Sequence, residues 1–133
     1  MIIGIGMDIV EISRIKTAIE REAFVKRVFT KGEADYCRSR GVQKAASFAA
    51  RFAAKEAVAK AFGTGFAGGN INDIEVQVTE HGKPEIVVHG KFAVLAKRLG
   101  VKHIYISLTH AREYAAAQAV IEGGDANESG DSH

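Results

Sequence analysis

The chain has 133 residues, of which 47% are hydrophobic and 26% are charged, proportions typical of one soluble globular domain with a single core. The 18 Lys and Arg against 16 Asp and Glu leave a net charge of +2, too small to indicate a nucleic-acid-binding protein. A single cysteine excludes an internal disulfide, and the sequence has no run of about 18 apolar residues that could cross a membrane.

The two ends of the chain differ in composition. The start, MIIGIGMDIVEI, lacks a basic segment and reaches Asp8 too early for a secretion signal, so we expect a cytoplasmic protein. Residues 123–133 hold three of the 16 acids and no Lys or Arg, which leaves 18 bases against 13 acids in the rest. We therefore expect a single, mildly basic domain over residues 1–122 and a flexible acidic tail over residues 123–133.

The first predicted element is a strand over residues 2–10, a run rich in isoleucine and valine. Gly4 and Gly6 within this strand predict a close approach of another backbone or of a ligand. Asp8 is out of character in a core strand. The sequence leaves two interpretations of Asp8 open, an edge or turn carboxylate and a metal or hydrogen-bonding ligand.

A helix is predicted next, from an N-cap at Ser13 to about residue 28. Phe24, Val28 and Phe29 are interpreted as core residues. The segment from residue 13 to residue 31 contains two acids and six bases, which are Arg14, Lys16, Arg21, Lys26, Arg27 and Lys31. This clustering is typical either of a solvated helix face or of a docking face for an acidic partner.

A capping box marks the start of the following helix. In T-K-G-E, residues 30–33, the side chain of Glu33 is expected to reach back to Thr30. The helix ends near residues 39–41 and contains Cys37, which we interpret as a small buried hydrophobic residue.

A long alanine-rich helix is predicted over residues 43–62, with Gly63 as the residue that ends it. The glycine-rich loop at residues 63–70 is either a plain connector or a cradle of backbone N–H groups for a phosphate. Four charged residues lie on the otherwise apolar end of this helix, namely Arg51, Lys55, Glu56 and Lys60. They must be solvated, paired or bound to a ligand, because an unpaired buried charge is costly. Glu56 and Lys60 have the spacing of an intrahelical ion pair, so the helix alone favours a solvated, salt-bridged face.

The second half of the sequence predicts two hairpins separated by a helix. The predicted elements are strands at residues 74–79 and 84–89, a helix at residues 90–99, and strands at residues 101–108 and 114–121. This order of elements predicts an α+β fold in which a mainly antiparallel sheet packs against the long alanine-rich helix.

Five segments of the sequence carry a family resemblance. They are GIGMDIVEISR (4–14), FTKGEADYC (29–37), RFAAKEAVAKAFGTG (51–65), HGKPEI (81–86) and ISLTHAREYAAAQAV (106–120). In this order they resemble the small bacterial holo-acyl-carrier-protein synthases, the short class of phosphopantetheinyl transferases. The resemblance covers nearly all of the chain outside the tail.

The resemblance implies a fold and a reaction. The fold is the phosphopantetheinyl transferase fold, assembled as a homotrimer with each active site shared across a subunit interface. The reaction moves the phosphopantetheine arm of coenzyme A onto a serine hydroxyl of an apo-acyl carrier protein, in support of fatty acid biosynthesis. It releases adenosine 3′,5′-bisphosphate and requires magnesium.

The resemblance also assigns residues to the metal and the pyrophosphate. Asp8 and Glu56 match the family's magnesium ligands, which would account for two carboxylates on apolar elements. Lys60 would contact the pyrophosphate and stabilise the leaving group, so Glu56 and Lys60 are the expected catalytic residues. The chemistry agrees, because magnesium takes one or two carboxylates plus substrate phosphates, and phosphoryl transfer depends on positioning and charge neutralisation.

A larger set of residues is expected to bind coenzyme A. Arg51 and Lys55 are candidates for the remaining phosphates, including the 3′-phosphate, and glycines at the end of the helix would let the backbone approach the nucleotide. The full expected set is Arg51, Lys55, Lys60, Gly63, Gly65, Lys83, Pro84, Ser107 and His110. Two members have plain alternatives, because Lys83 is equally typical of a turn and His110 of a capping residue.

The resemblance implies an acyl carrier protein as the partner of the basic cluster, since acyl carrier proteins are small and acidic. The expected docking residues are Arg14, Arg21 and Arg27, with Phe24 as an apolar anchor. The group that removes the serine proton stays open between Glu56, a metal-polarised water and Asp35.

Two other functions fit a domain of this size. A binding module would hold a nucleotide or an acidic protein without chemistry, but it would need bases and N–H groups rather than Asp8 and Glu56. A structural trimer subunit that has lost activity is the second, and the presence of Lys60 with both acids argues against it. The tyrosines Tyr36, Tyr105 and Tyr114 are expected in the core or at an interface, and neither nucleic acid nor a membrane is expected as a partner.

Overall fold

The structure is a computed structural model and describes residues 1–124. The elements in chain order are β1 (Ile2–Glu11), α1 (Ile12–Ala18), α2 (Glu22–Val28), α3 (Lys31–Arg38), α4 (Lys44–Ala61), β2 (Ile74–Val78), β3 (Pro84–Val88), α5 (Gly90–Leu99), β4 (Val101–His110) and β5 (Tyr114–Gly123). The predicted domain end at residue 122 falls one residue short of the end of β5. The rest of the expected acidic tail, residues 125–133, lies outside the described residues.

All strand pairs in the described residues are antiparallel. Strand β5 pairs with β1 on one side and with β4 on the other, and β2 and β3 form a separate two-stranded hairpin. Helix α4 packs across the three-stranded sheet, and α3 and β2 lie against the same helix. The prediction of an α+β fold with a mainly antiparallel sheet against the long alanine-rich helix is confirmed.

Glycines in β1 allow the helix and the strand to touch through their backbones. A Cβ atom added at Gly4 or Gly6 would overlap the carbonyl oxygens of Ala61 and Ala57, respectively, on α4. The close approach predicted from these glycines is therefore confirmed. The approach also fixes which residues of β1 face the helix, since side chains alternate along a strand and every second residue shares the face of Gly4 and Gly6.

The prediction of one continuous helix from Ser13 to residue 28 is wrong. The segment forms two helices, α1 and α2, with extended backbone at Arg21 between them, and Ser13 is not the N-cap because α1 begins at Ile12. The physical reason is burial of both Ile15 and Val28. In one straight helix these residues would point about 140° apart, so the chain must turn to bury both.

Two other local predictions agree with the structure. Thr30 and Glu33 form the capping box at the start of α3, with both reciprocal hydrogen bonds present. Gly63 follows α4 with a φ of +84°, a left-handed conformation that glycine adopts without strain.

The sheet face opposite α4 is apolar and exposed on β1. The side chains of Ile5, Met7 and Ile9 are 62%, 63% and 66% exposed, and Tyr105 on β4 is 50% exposed. We call Ile5, Met7, Ile9 and Tyr105 the outer sheet face. Within residues 1–124, no helix is long and apolar enough to cross a membrane.

Candidate functional site

Three charged residues meet where β1 crosses the C-terminal half of α4. The Nζ atom of Lys60 lies 3.0 Å from Oδ1 of Asp8 and donates a second hydrogen bond of 3.0 Å to the carbonyl oxygen of Met7. Asp8 is on the α4 side of β1, like Gly6, and its side chain is only 17% exposed. The ion pair that the sequence placed between Glu56 and Lys60 is thus formed between Lys60 and Asp8.

Glu56, one helical turn before Lys60 on α4, interacts electrostatically with the same charged residues. Burial and the charge of Asp8 raise the pKa of the Glu56 carboxyl, although the cations Lys60 and Arg14 act in the opposite direction. Two carboxylates and one ammonium therefore lie near one another in a partly dehydrated setting, which favours the binding of a further cation. We call Asp8, Glu56 and Lys60 the acid–lysine cluster.

The acid–lysine cluster fits one kind of metal site and not another. Among residues 1–124, the structure shows no group of three or more His, Cys, Asp or Glu side chains that could hold a metal ion. A metal cage made wholly of protein side chains is therefore not present in this part of the chain. Asp8 and Glu56 do fit magnesium's habit of taking one or two carboxylates and completing its shell with water and substrate phosphates.

Glu56 also lines a pocket of about 650 Å³ between α2, α4 and the loop after α4. The other lining residues are Phe24, Arg27, Val28, Phe52, Phe66, Gly69, Asn70, Ile71 and Asn72. Two of the expected docking residues, Phe24 and Arg27, thus open onto the same pocket as Glu56. Sequence reasoning did not predict Phe52, Phe66, Asn70 or Asn72 at a site, because the local pattern does not distinguish them from ordinary core and loop residues.

A second group of predicted residues lies on another side of α4. Arg51 and His110 line a small pocket of about 170 Å³ together with Tyr36, Arg40, Gln43 and Ser47, which we call the arginine pocket. The guanidinium of Arg51 lies 4.7 Å from the centre of the Tyr36 ring, which holds it over the pocket. Arg51 and Glu56 are five residues apart, so they point about 140° apart around the helix. Arg40 was missed because its position depends on the turn after α3.

The remaining coenzyme residues lie in three further places. Gly63 and Gly65 follow α4 with positive φ and open space around them, as close backbone approach to a ligand requires. Lys83 and Pro84 line a groove of about 500 Å³ between β3 and β4. Ser107 is exposed on β4. Within one chain the structure therefore does not bring the expected coenzyme residues together at one site.

The structure corrects the interpretation of Lys55. Its side chain has no exposed surface, and its ammonium forms an ion pair with Glu33 and donates to the carbonyl oxygen of Ile74. Burial lowers the pKa of Lys55, and the charge of Glu33 opposes this effect. Lys55 is not placed to bind a phosphate, because its ammonium is enclosed by Glu33, the Ile74 carbonyl and the Phe29 ring.

Other single-residue expectations have mixed outcomes. Cys37 is fully buried as predicted, and burial raises the pKa of its thiol. Asp35 is exposed and pairs with Lys31 at 2.7 Å on α3. Tyr105 and Tyr114 are about half exposed, so in a single chain they are not core residues.

The chain is similar to known proteins over most of its length. A family model described as the 4′-phosphopantetheinyl transferase superfamily matches residues 4–119. A holo-(acyl-carrier-protein) synthase of Ruminiclostridium cellulolyticum is 47% identical over 124 residues, covering 91% of this chain and 92% of the relative. A protein of the same name from Clostridium kluyveri is 44% identical over 126 residues, covering 92% and 91%.

A solved structure extends the likeness to three dimensions. It is the crystal structure of a holo-(acyl-carrier-protein) synthase from Bacillus anthracis in complex with CoA (3′,5′-ADP). It has a TM-score of 0.77 and 34% sequence identity to this chain, and the match covers 93% of this chain and 99% of that one.

Proposed function

The chain belongs to the 4′-phosphopantetheinyl transferase superfamily, and from this membership we propose that it is a holo-acyl-carrier-protein synthase. It transfers the phosphopantetheine arm of coenzyme A to a serine hydroxyl of apo-acyl carrier protein. The serine oxygen forms a bond to the phosphorus that carries the arm. The pyrophosphate P–O bond breaks, and adenosine 3′,5′-bisphosphate leaves with the electron pair.

The observation that carries this proposal is the meeting of Asp8, Glu56 and Lys60. The side chain of Lys60 is half exposed while its ammonium pairs with Asp8, so Lys60 is held in place and accessible to a ligand. Negative charge that develops on the leaving phosphate would be neutralised there. A module that only binds phosphate has no use for the two acids beside this lysine.

Magnesium dependence is part of the proposal. Asp8 and Glu56 are the residues that would hold the ion, and the bound ion supplies charge neutralisation at the substrate phosphates. What supports this is that Asp8, paired with Lys60, lies near enough to Glu56 for its charge to raise the pKa of the Glu56 carboxyl.

We propose that Glu56, rather than Asp35, removes the proton of the serine hydroxyl. Glu56 lines the pocket that also contains Phe24 and Arg27, so a serine delivered by a protein docked on α2 would arrive beside it. Asp35 lies on α3, pairs with Lys31 and lines none of the described pockets with Glu56.

The docking face for the acidic carrier protein is proposed on α1 and α2. Arg14 is exposed on α1, Arg27 on α2 and Arg21 between the two helices, and Phe24 is half-buried on α2. The guanidinium of Arg27 lies 5.7 Å from the centre of the Phe24 ring, so a basic and an apolar contact are offered side by side. Such a surface fits an acidic partner that also has an apolar patch.

We also propose a homotrimer with active sites shared between subunits. The outer sheet face exposes apolar side chains that a second subunit would cover. The arginine pocket and the acid–lysine cluster lie on different sides of α4, so one coenzyme reaches both only if a neighbouring subunit supplies one of them. As the family resemblance implies, the reaction is placed in the cytoplasm and serves fatty acid biosynthesis.

Mass spectrometry tests the proposed reaction directly. Apo-acyl carrier protein incubated with this protein, coenzyme A and magnesium is expected to gain the mass of one phosphopantetheine group. EDTA and Glu56→Ala are each expected to abolish the gain. If several carrier proteins gain no mass while the protein still binds coenzyme A, the binding-module function is correct and the proposed reaction is not.

A further inference from the structure

A buried ion pair joins α3, α4 and β2 next to the acid–lysine cluster. The Nζ atom of Lys55 lies 2.7 Å from Oε1 of Glu33, and neither side chain has exposed surface. The same ammonium donates to the carbonyl oxygen of Ile74 and lies 5.7 Å from the centre of the Phe29 ring. Lys55 is therefore held from three directions.

The carboxylate of Glu33 is held just as firmly. Its Oε1 atom accepts a hydrogen bond of 2.8 Å from the N–H of Thr30, and its Oε2 atom accepts one of 2.6 Å from the N–H of Val76. Both oxygens thus have backbone partners in addition to the ammonium of Lys55. In the described part of the chain, every buried side-chain nitrogen and oxygen has a hydrogen-bond partner. One carboxylate therefore connects the start of α3, the middle of α4 and the strand β2.

Stability alone does not explain a buried pair of this kind. Removing two charges from water carries a cost that their attraction offsets only in part, and an apolar pair of similar volume is often equally stable or more so. An apolar pair, however, has no preferred direction. The hydrogen bonds of Lys55 and Glu33 fix both the rotation of α4 about its axis and its position along that axis.

The rotation of α4 affects the acid–lysine cluster because two of its members lie on the same helix. Glu56 directly follows Lys55, and Lys60 is five residues after Lys55. We propose that Glu33 and Lys55 are positioning residues, which hold α4 so that Glu56 and Lys60 face Asp8. The inference rests on the proposed function of the acid–lysine cluster. It adds that the pair acts on catalysis through geometry, without contact with the substrates.

A pair of variants separates positioning from stability. Lys55→Met alone leaves the carboxylate of Glu33 buried without its cation and is expected to lower Tm strongly. The double variant Glu33→Gln with Lys55→Met removes both charges at nearly the same side-chain volume and is expected to recover part of that Tm, because the new amide can accept only one of the two backbone hydrogen bonds that Glu33 accepts. If positioning is the role, kcat does not recover with Tm. It stays lower than wild type by about tenfold to a hundredfold, while KM for coenzyme A changes by less than about threefold.

A matched control variant lowers the stability of the fold and leaves Glu33 and Lys55 unchanged. Ile121→Val removes one methyl group from a fully buried residue of β5, so its Tm falls while kcat is expected to stay close to wild type. A double variant whose kcat stays close to wild type despite a lowered Tm, as in this control, would overturn the inference.

A crystal structure of the double variant gives a readout that does not depend on activity. The separation between Nζ of Lys60 and Oδ1 of Asp8, 3.0 Å in the wild type, is expected to exceed hydrogen-bond distance. A double variant that keeps either this separation or the wild-type kcat overturns the inference. A wild-type protein without transferase activity would overturn the proposed function instead. The distance between Lys60 and Asp8 in the double variant would still test whether Glu33 and Lys55 position α4. If the double variant does not fold, Glu33→Asp, which keeps both charges but shortens the reach of the carboxylate, is judged by the same two readouts.

Discussion

The carbonyl oxygen of Ala57 occupies the space that a Cβ atom on Gly6 would need, so β1 and α4 are in contact through their main chains. Asp8 is two residues beyond Gly6, and Lys60 is three residues beyond Ala57. The contact between the two backbones therefore fixes how closely β1 and α4 approach beside the acid–lysine cluster, and the rotation of α4 decides whether Lys60 faces Asp8.

Gly6→Ala is expected to lower the free energy of unfolding by about 3 kcal/mol, because β1 or α4 must move to admit the methyl group. Activity is expected to fall as well, since Asp8 and Lys60 separate. Urea denaturation and the transfer assay measure the two effects. Gly32→Ala is the control, because its added Cβ would meet nothing closer than 3.8 Å and it lies in α3. A Gly6→Ala variant as stable as wild type would contradict the backbone contact.

Lys60→Met is expected to reduce kcat by about 100-fold to 1,000-fold, since the charge on the leaving phosphate loses its fixed cation. The effect on Tm is expected to be small, because Lys60 is half exposed. Steady-state kinetics with coenzyme A and a carrier protein provide the measurement. Lys97→Met, at an exposed position on α5, is the control with the same change of charge. Equal kcat values for the two variants would remove Lys60 from the proposed mechanism.

Reversal of charge at Arg14 and Arg21 is expected to raise KM for the carrier protein and to reduce the sensitivity of KM to salt. The reason is the loss of attraction between the docking face and an acidic partner. Kinetics at low and high salt measure both changes, and Arg98→Glu on α5 provides the same reversal away from this face. A KM for the carrier protein that is unchanged at low salt rules out this docking face.

Met7→Lys is expected to break the proposed trimer, because it places an ammonium in the middle of the outer sheet face. The variant should sediment as a monomer and lose activity, since one subunit then lacks the complementary half of the site. Val94→Lys is the matched control, because Val94 is similarly exposed at 61% but lies on α5. A wild-type protein that sediments as a stable, active monomer contradicts the trimer.

Glu75 is expected to contribute to the loss of stability in acid. Burial acts most strongly on its carboxyl and would raise the pKa, but hydrogen bonds from His89, Thr30 and Gln77 together lower it. A carboxyl whose pKa is lowered in the folded state contributes stability at pH values above its ordinary pKa of about 4.3. This contribution is lost as the pH falls through the folded-state pKa. Tm of the wild type should therefore fall more steeply than that of Glu75→Gln below about pH 5. Glu85→Gln, exposed on β3, should keep the wild-type slope.

Sequence reasoning succeeded where the cause of a feature is local. The spacing of Thr30 and Glu33 is enough to predict a capping box, and glycines in a strand are enough to predict close backbone contact. It failed for Lys55, whose partner Glu33 is 22 residues away and comes near only through the packing of α3 on α4. The split between α1 and α2 was missed for a similar reason, because only the tertiary structure shows that both halves must bury residues.

The buried pair of Glu33 and Lys55 restricts how this protein can change over evolutionary time. Loss of either residue alone would leave a charge without its counterion in the interior, so single substitutions at these two positions are expected to be removed by selection. Replacement of the pair then requires two nearly simultaneous changes. Positions 33 and 55 should accordingly vary together, or not at all, among descendants that keep the reaction.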